Sequence, residues 1–329
     1  MAMTITWFVG SALAVIGAGI VLSRAADSIA EHTRFGRLAV GVILLAFATT
    51  LPEIITDVYA VRLGALDLAV GDLLGSCLMN LLILALIDLL YYAKHRKSLL
   101  SGVVIGHART ATLSVVLLGI VGVAVMTKLT AAIGGVGIGT ILIVAVYAAG
   151  VRSALGGSGQ QPEATASAGP APMSLRVAVV AFALGALVIA FAGPALARSA
   201  EALAAATGLG QTFFGSVALA LVTSLPELAA SLTALRIGSH DLAVGNLFGS
   251  NAFNIVVLFV LDVADGQGPL LALVRTQHAL TAFIAIILTA LAMQITIAHQ
   301  ERRVWLVEPD AVALILAFLA GVGLMYLAR

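Results

Sequence analysis

The chain carries the sequence TTLPE at residues 49–53 and, 174 residues further on, TSLPE at residues 223–227. At the same distance, GDLLGSCLMN at residues 71–80 returns as GNLFGSNAFN at residues 245–254. Shared hydrophobicity does not explain repeated matches at Pro, Glu, Gly and Asn. The sequence therefore contains an internal duplication.

The composition around this duplication is that of a membrane protein. Of the 329 residues, 61% are apolar and 10% are charged, and the mean hydropathy is +1.12. A soluble protein is about 45–50% apolar and about 25% charged, so most of this surface must face lipid. A net charge of +1 provides no basic patch for nucleic acid, and the single cysteine, Cys77, excludes an intramolecular disulfide.

Ten apolar segments are long enough to span a bilayer. They fall near residues 5–23, 37–63, 67–90, 108–127, 130–151, 175–197, 212–236, 241–262, 275–298 and 309–328. The pattern predicts an all-α membrane protein of ten transmembrane helices. Its parts are a first five-helix unit at residues 1–152, a flexible linker at 153–174 and a second five-helix unit at 175–329.

The number of spans in each unit determines how the two units are related. Because five is odd, the second unit must enter the membrane with the opposite polarity to the first. We therefore expect two inverted repeats, the layout of many secondary transporters. Twelve Lys and Arg residues fall on the side of the linker and five on the other side. The positive-inside rule then predicts a multi-pass protein of the cell inner (plasma) membrane, with both termini outside and the linker cytoplasmic.

Each copy of the repeat places one carboxylate in the middle of an apolar segment, at Glu53 and Glu227. A carboxylate at mid-bilayer costs about 2.5–3.5 kcal/mol on insertion scales, and no Lys or Arg lies at a comparable depth. A bound cation is the simplest countercharge. A structural hydrogen-bonded pair is the alternative, and two acids without a base argue against it. Pro52 and Pro226 each free a backbone carbonyl four residues earlier, which can also ligate a cation.

Helical spacing places further oxygen atoms on the faces that carry the glutamates. In the first copy, one helix face carries Thr49, Glu53 and Asp57, and the face of the next helix carries Asp72, Ser76 and Asn80. In the second copy, the corresponding faces carry Thr223, Glu227 and Ser231, and then Asn246, Ser250 and Asn254. Such a set of hard oxygen ligands suits calcium or sodium rather than zinc or copper. Asp57 can reach either the central cavity or a vestibule near the end of its helix.

Two further pairs of acids are expected to have structural roles. Asp67 and Asp241 follow a turn glycine and precede an apolar helix, which predicts that they cap these helices. Asp88 and Asp262 close their helices and are expected at the membrane interface. The GxxxG spacing within residues 71–75 and 245–249 is typical of close helix packing.

The paired motifs resemble the signature repeats of the calcium/cation antiporter superfamily, and specifically of prokaryotic sodium/calcium exchangers. The resemblance implies ten helices in two inverted halves and a site that needs no cofactor. It implies that Glu53 and Glu227 are the main calcium ligands and that Thr49 and Thr223 add backbone oxygen. It also implies sodium sites lined by Thr50, Ser76, Ser224 and Ser250, and we add Asp72, Asn80 and Asn254 as candidate metal ligands.

The sequence departs from this family pattern at several positions. Asp72 stands where Asn is usual, Cys77 stands where the second copy has Asn251, and Asp57 adds an acid one turn from Glu53. Some exchangers carry an Asp at the position of Asn80 or of its repeat mate Asn254. These differences concern the driving ion and the stoichiometry.

The sequence therefore predicts a secondary antiporter that exchanges calcium for sodium by alternating access, with these ions as substrates and the lipid bilayer as its surroundings. A calcium/proton antiporter of the same fold is the alternative, in which Asp57 or Asp72 titrates with the glutamates. A cation channel is disfavoured by the two-fold repeat within one chain. An enzyme is not expected, because no nucleophile and base are paired and the loops are short.

Overall fold

In a computed structural model the chain is almost entirely helical, and residues 2–32, 37–99, 106–156, 173–236, 238, 240–298 and 309–328 are described. The first half contains α1 (Ala2–His32), α2 (Arg37–Arg62), α3 (Leu66–His95), α4 (Gly106–Met126) and α5 (Ile138–Gly156). The second half begins with α6 (Leu175–Thr207), α7 (Gln211–Phe214), a π-helical segment (Gly215–Leu219), α8 (Ala220–Thr223) and α9 (Leu225–Arg236). It continues with α10 (His240–Asp265), α11 (Leu270–Leu273), α12 (Gln277–Ala298) and α13 (Pro309–Leu327). The linker was predicted at 153–174, and its residues 157–172 lie outside the described ranges.

Eight helical stretches in the described part of the chain are long and apolar enough to cross a membrane. One of them, Gln211–Arg236, runs through the consecutive short helices α7 to α9. Each coincides with one of the ten predicted segments. The two remaining segments correspond to α2 and to α5, whose apolar part, Ile138–Arg152, is shorter. The prediction of a helical membrane protein with many spans is confirmed to this extent.

Several boundaries differ from the prediction. The segment predicted at 130–151 begins with a hairpin, in which β1 (Ala132–Ile133) pairs antiparallel with β2 (Val136–Gly137). Its turn residues Gly134 and Gly135 have φ angles of 61° and 87°, which glycine adopts without a Cβ clash. In addition, α1 and α6 run about nine or ten residues beyond their predicted ends, because apolarity reports the lipid-facing part of a helix rather than its length.

Helices α3 and α10, which correspond in the repeat, run antiparallel against each other. The ring of Tyr91, near the end of α3, lies 4.8 Å from the ring of His240 at the start of α10. At the other end, the backbone N–H of Arg275, beyond the end of α10, donates to Asp67 in the first turn of α3 (2.8 Å). Because α10 spans roughly 39 Å at 1.5 Å per residue, the α2–α3 turn and the α9–α10 turn lie at opposite ends of the bundle.

The predicted capping role of Asp67 is wrong. Helix α3 begins at Leu66 after Ala65, and no side chain caps it. The Asp67 carboxylate instead accepts hydrogen bonds from Arg275 N–H and from His278 Nε2 (3.0 Å), which tie α3 to the start of α12. The side chain of Asp241, its repeat mate, is outside the described part of the structure.

Asp88 and Asp262, predicted to lie at the membrane interface, are fully buried within the protein near the ends of α3 and α10. Asp88 accepts hydrogen bonds from Ser98 Oγ (3.0 Å) and Leu99 N–H (2.6 Å). Asp262 accepts from the N–H groups of Gly137 and Leu270 (both 2.9 Å) and from the Thr140 hydroxyl. The loops fold back over these helix ends, and their buried N–H groups require acceptors. Each acid therefore anchors a connection of the membrane bundle.

Candidate cation-binding site

The eleven predicted site residues are all buried, and none of their side chains is more than 1% exposed. The first copy contributes Thr49, Thr50 and Glu53 from α2 and Asp72, Ser76 and Asn80 from α3. The second copy contributes Thr223 from α8, Ser224 from the break before α9, Glu227 from α9, and Ser250 and Asn254 from α10. The helices that carry the two copies pack against each other in the interior of the bundle.

The two glutamates lie close enough to repel each other, and Glu53 is also repelled by Asp72. Neither carboxylate has a hydrogen-bond partner, and neither forms an ion pair, within the described residues. An isolated buried carboxylate is strongly unfavourable unless a positive charge accompanies it. The pair therefore has the electrostatic character of a cation site.

The hydroxyl groups of the two copies meet across the site. Thr49 Oγ1 lies 3.5 Å from Ser250 Oγ, and Ser76 Oγ lies 3.4 Å from Thr223 Oγ1. A shift of 174 residues converts Thr49 into Thr223 and Ser76 into Ser250, so the same contact is made twice with the two copies exchanged. The Thr223 hydroxyl also donates to Asp72 Oδ1 (3.0 Å). Neutral oxygen atoms thus lie beside the charged ones.

The amide groups form a second layer of contacts between α3 and α10. Asn80 Nδ2 donates to Asn251 Oδ1 (2.9 Å), and Asn251 Nδ2 donates to the backbone oxygen of Cys77 (3.2 Å). The Cys77 thiol in turn donates to the backbone oxygen of Asn251 (3.6 Å). Asn251 was missing from the predicted site, although the repeat alignment had set it opposite Cys77.

Three predicted residues are buried without such contacts. The hydroxyls of Thr50 and Ser224 and both polar atoms of the Asn254 side chain have no hydrogen-bond partner in the described part of the chain. Ser216, in the π-helical segment, also has a buried hydroxyl without a partner there, and no sequence motif had indicated it. These groups are available to a ligand, since a buried polar group normally has a partner.

The backbone around the two glutamates differs between the copies. Pro52 lies inside the unbroken helix α2, whereas Pro226 lies in the first turn of α9, after a break at Ser224. Proline is tolerated in a first helical turn, because its missing N–H would lack a helical partner there. The two prolines therefore lie in different backbones, the interior of a helix at Pro52 and the start of a helix at Pro226. The break places Glu227 near the positive end of a helix dipole.

Glycines bring the second copy close to α3. A Cβ at Gly75 would lie 2.3 Å from the backbone oxygen of Ser216, and one at Gly215 would lie 2.4 Å from the backbone oxygen of Leu68. Only glycine permits this approach between the π-helical segment and α3. The interpretation of the first GxxxG as a packing motif agrees with these distances. At Gly249, the repeat mate of Gly75, a Cβ would meet nothing within 4 Å.

The groups brought together here are carboxylate, hydroxyl, amide and carbonyl oxygens, which are of the kind that calcium and sodium prefer. Within the described ranges, no three His, Cys, Asp or Glu side chains converge as a ready-made metal centre. A cation bound here would therefore draw much of its coordination from neutral oxygens.

The sequence of the chain matches a known protein family over most of its length. The family model described as "Sodium/calcium exchanger protein" matches residues 3–151 and 177–327. The chain belongs to this family. The members of the sodium/calcium exchanger family are transporters rather than enzymes, and the chain is a multi-pass membrane protein of this exchanger type.

Individual relatives agree with the family assignment. The chain is 29% identical over 252 residues to a protein of Alkalimonas amylolytica named as an antiporter, CaxA, covering 74% of this chain and 75% of CaxA. Its fold is similar to that of the H⁺/Ca²⁺ exchanger CAX, with a TM-score of 0.73, 14% identity and coverage of 99% and 85%. It is also similar to that of the sodium-calcium exchanger NCX_Mj, with a TM-score of 0.62, 19% identity and 98% coverage of both chains.

Proposed function

We propose that the protein is a secondary antiporter that exchanges calcium for sodium across the cytoplasmic membrane by alternating access. The observation that carries this proposal is the pair Glu53 and Glu227, two fully buried carboxylates that have no partner in the described part of the chain. Two carboxylates neutralise one divalent cation. Three sodium ions in the same space would leave one net positive charge, so an exchange of three sodium ions for one calcium ion would move charge across the membrane.

The proposed architecture is ten transmembrane helices in two inverted five-helix repeats. Two observations support it: the antiparallel course of α3 and α10, and the Thr–Ser contact that recurs with the two copies exchanged. In such a protein the two halves can exchange conformations about one fixed site. This gives alternating access without moving the glutamates far from the midplane.

The proposed ligand set is the predicted one. Glu53 and Glu227 bind calcium with oxygens of Thr49 and Thr223, and Asp72, Asn80 and Asn254 border the same space. Thr50, Ser76, Ser224 and Ser250 line the sodium positions, because hydroxyl oxygens suit a monovalent hard cation. The buried hydroxyls of Thr50 and Ser224, which lack partners among the described residues, support this assignment.

A calcium/proton antiporter is the second candidate. The observation that favours it is the presence of two further buried acids, Asp57 and Asp72, beside Glu53. Uptake of calcium-45 by proteoliposomes under separate sodium, proton and potassium gradients distinguishes the two candidates. We expect the sodium gradient to drive uptake.

The central test is the loss of either glutamate. Glu53→Gln and Glu227→Gln should each abolish calcium transport while the protein still inserts and stays folded, because each removes half of the neutralising charge. Glu201→Gln, on α6 and outside the site, is the matched control and should transport as the wild type does. Calcium transport at the wild-type rate in either site variant would contradict the proposal.

A further inference from the structure

Asp57 and Asp72 form a pair of acids on one side of Glu53. Both residues are fully buried on the neighbouring helices α2 and α3, and their carboxyl groups lie near each other. Asp72 Oδ1 accepts a hydrogen bond from Thr223 Oγ1 (3.0 Å). Asp72 Oδ2 and both oxygens of Asp57 have no donor within the described ranges. Because ionised carboxylates are acceptors only, the two groups cannot satisfy each other.

In the second copy of the repeat, neutral side chains occupy the positions that correspond to the two acids. The mates of Asp57 and Asp72 are Ser231 and Asn246, and Asn246 Nδ2 donates to Ser231 Oγ (3.1 Å). Ser231 Oγ donates in turn to the backbone oxygen of Ala243 (3.3 Å). A neutral hydrogen-bonded pair thus fits between these two helices. The packing therefore does not require two acids in the first copy, and they need another explanation.

The acidic pair lies on one side of the central site. Asp57 follows Glu53 by four residues, or roughly 6 Å along α2, in the direction of the α2–α3 turn. Asp72 approaches from the same turn, near the start of α3. The neutral pair Ser231 and Asn246 lies toward the α9–α10 turn, which is at the opposite end of the bundle. The route to the glutamates from the α2–α3 turn therefore passes an acidic pair, whereas the route from the α9–α10 turn passes a neutral pair.

We propose that Asp57 and Asp72 form a second cation-binding position, which holds one divalent cation on its way between the face of the α2–α3 turn and Glu53. The two carboxylates neutralise the ion, and Asp72 lies at the boundary with the central site. The α9–α10 side lacks such a position. Calcium is consequently captured at a lower concentration from one face of the membrane than from the other. This inference rests on the proposed exchange function.

The test compares calcium uptake from the two faces. Right-side-out and inverted membrane vesicles, loaded with sodium, give the KM for external calcium at each face. Asp57→Ser copies the residue of the second copy and should raise the KM about tenfold at the face of the α2–α3 turn, because calcium affinity follows the number of charged ligands. The KM at the other face should stay within about twofold of the wild type. Glu201→Gln, which removes an acid of α6 outside both positions, is the control and should leave the KM unchanged at both faces.

A binding measurement makes the test independent of turnover. Equilibrium dialysis of the purified protein with calcium-45 should give two ions per chain for the wild type and one for Asp57→Asn, which keeps the side-chain volume. Equal stoichiometry in both proteins, or an equal change of KM at both faces, would overturn the second position. A wild-type protein that moves no calcium would instead overturn the exchange function itself, so the two failures are distinguishable.

Discussion

Two asparagines on α10, Asn251 and Asn254, have opposite relations to their surroundings. Asn251 accepts from Asn80 and donates to the backbone of Cys77, whereas the Asn254 amide has no partner within the described ranges. Both are fully buried and lie three residues apart. Their chemistry is identical, so their different surroundings give them different tasks. Asn251 joins α3 to α10, and Asn254 remains available to an ion.

Matched alanine substitutions test this division. Asn251→Ala leaves the buried Asn80 Nδ2 without an acceptor and removes the hydrogen bond to the backbone of Cys77, so it should lower stability by about 1–3 kcal/mol. Asn254→Ala breaks no contact seen in the described residues and should change stability much less, while it raises the KM for calcium. Thermal unfolding in detergent and calcium-45 uptake are the two measurements. A larger loss of stability in Asn254→Ala than in Asn251→Ala would contradict the assignment.

Predictions for single residues were correct where the exposure of a charge to lipid has a large energetic cost. The cost of a carboxylate in lipid demanded a buried position for Glu53 and Glu227, and both are fully buried. The partners of Asn251 were not predictable, because they follow from how α3 and α10 pack rather than from local spacing. The hydrogen-bond partners of Asp88 and Asp262 were not predictable for a related reason. Their carboxylates accept from loops that fold back over the helix ends, and apolarity does not report such loops.

At the scale of helices, near-identical motifs produce different backbones. The LPE triplet lies within the continuous helix α2 in one copy and after a helix break in the other. Proline alone therefore does not decide the interruption. The difference lies in the preceding turns, where the π-helical segment Gly215–Leu219 presses against α3. Such tertiary contacts override local sequence preference, and the sequence repeat could predict the helices but not this break.

The glycine mates Gly75 and Gly249 offer a direct test of that contact. Gly75→Ala would place a methyl group 2.3 Å from the backbone oxygen of Ser216, so α3 and the π-helical segment must separate. We expect a large loss of folded protein and of transport. Gly249→Ala meets nothing within 4 Å and should be neutral or slightly stabilising, since Ala is favoured over Gly in a helix by up to about 1 kcal/mol. Size-exclusion profiles in detergent provide the comparison. Equal behaviour of the two variants would refute the packing argument.

At the scale of the whole molecule, the repeat predicts the topology of the chain in the membrane. The excess of Lys and Arg on the linker side, twelve against five, predicts that the linker is cytoplasmic. A cysteine introduced at Ser158 in a Cys77→Ser background should react with a membrane-impermeant thiol reagent only from the cytoplasmic face. The Cys77→Ser background keeps a hydroxyl donor for the Asn251 backbone and should transport calcium. Labelling of intact cells from outside would reverse the proposed orientation.

The coupling ion is a property of the whole transport cycle. We expect Asp72 to be the residue that decides whether protons take part in this cycle. Sodium coupling is expected because Thr50, Ser76, Ser224 and Ser250 provide neutral oxygens beside the two glutamates. When the Asp57–Asp72 position is empty, Asp72 adds a third carboxylate to the central space and leaves one negative charge in excess of a divalent ion, which a proton can neutralise.

Asp72→Asn removes that excess negative charge and introduces the residue type found at its repeat mate, Asn246. An amide can still accept the hydrogen bond from Thr223, which keeps the contact between α3 and α8. Sodium-driven calcium uptake should survive in both proteins, but Asp72→Asn should change its dependence on pH and raise the KM for calcium at the face of the α2–α3 turn. Calcium-45 uptake under sodium and pH gradients applied in turn is the measurement. If the wild type accumulates calcium under a pH gradient without sodium and Asp72→Asn does not, protons drive the exchange, and Asp72 carries the proton that the cycle transports.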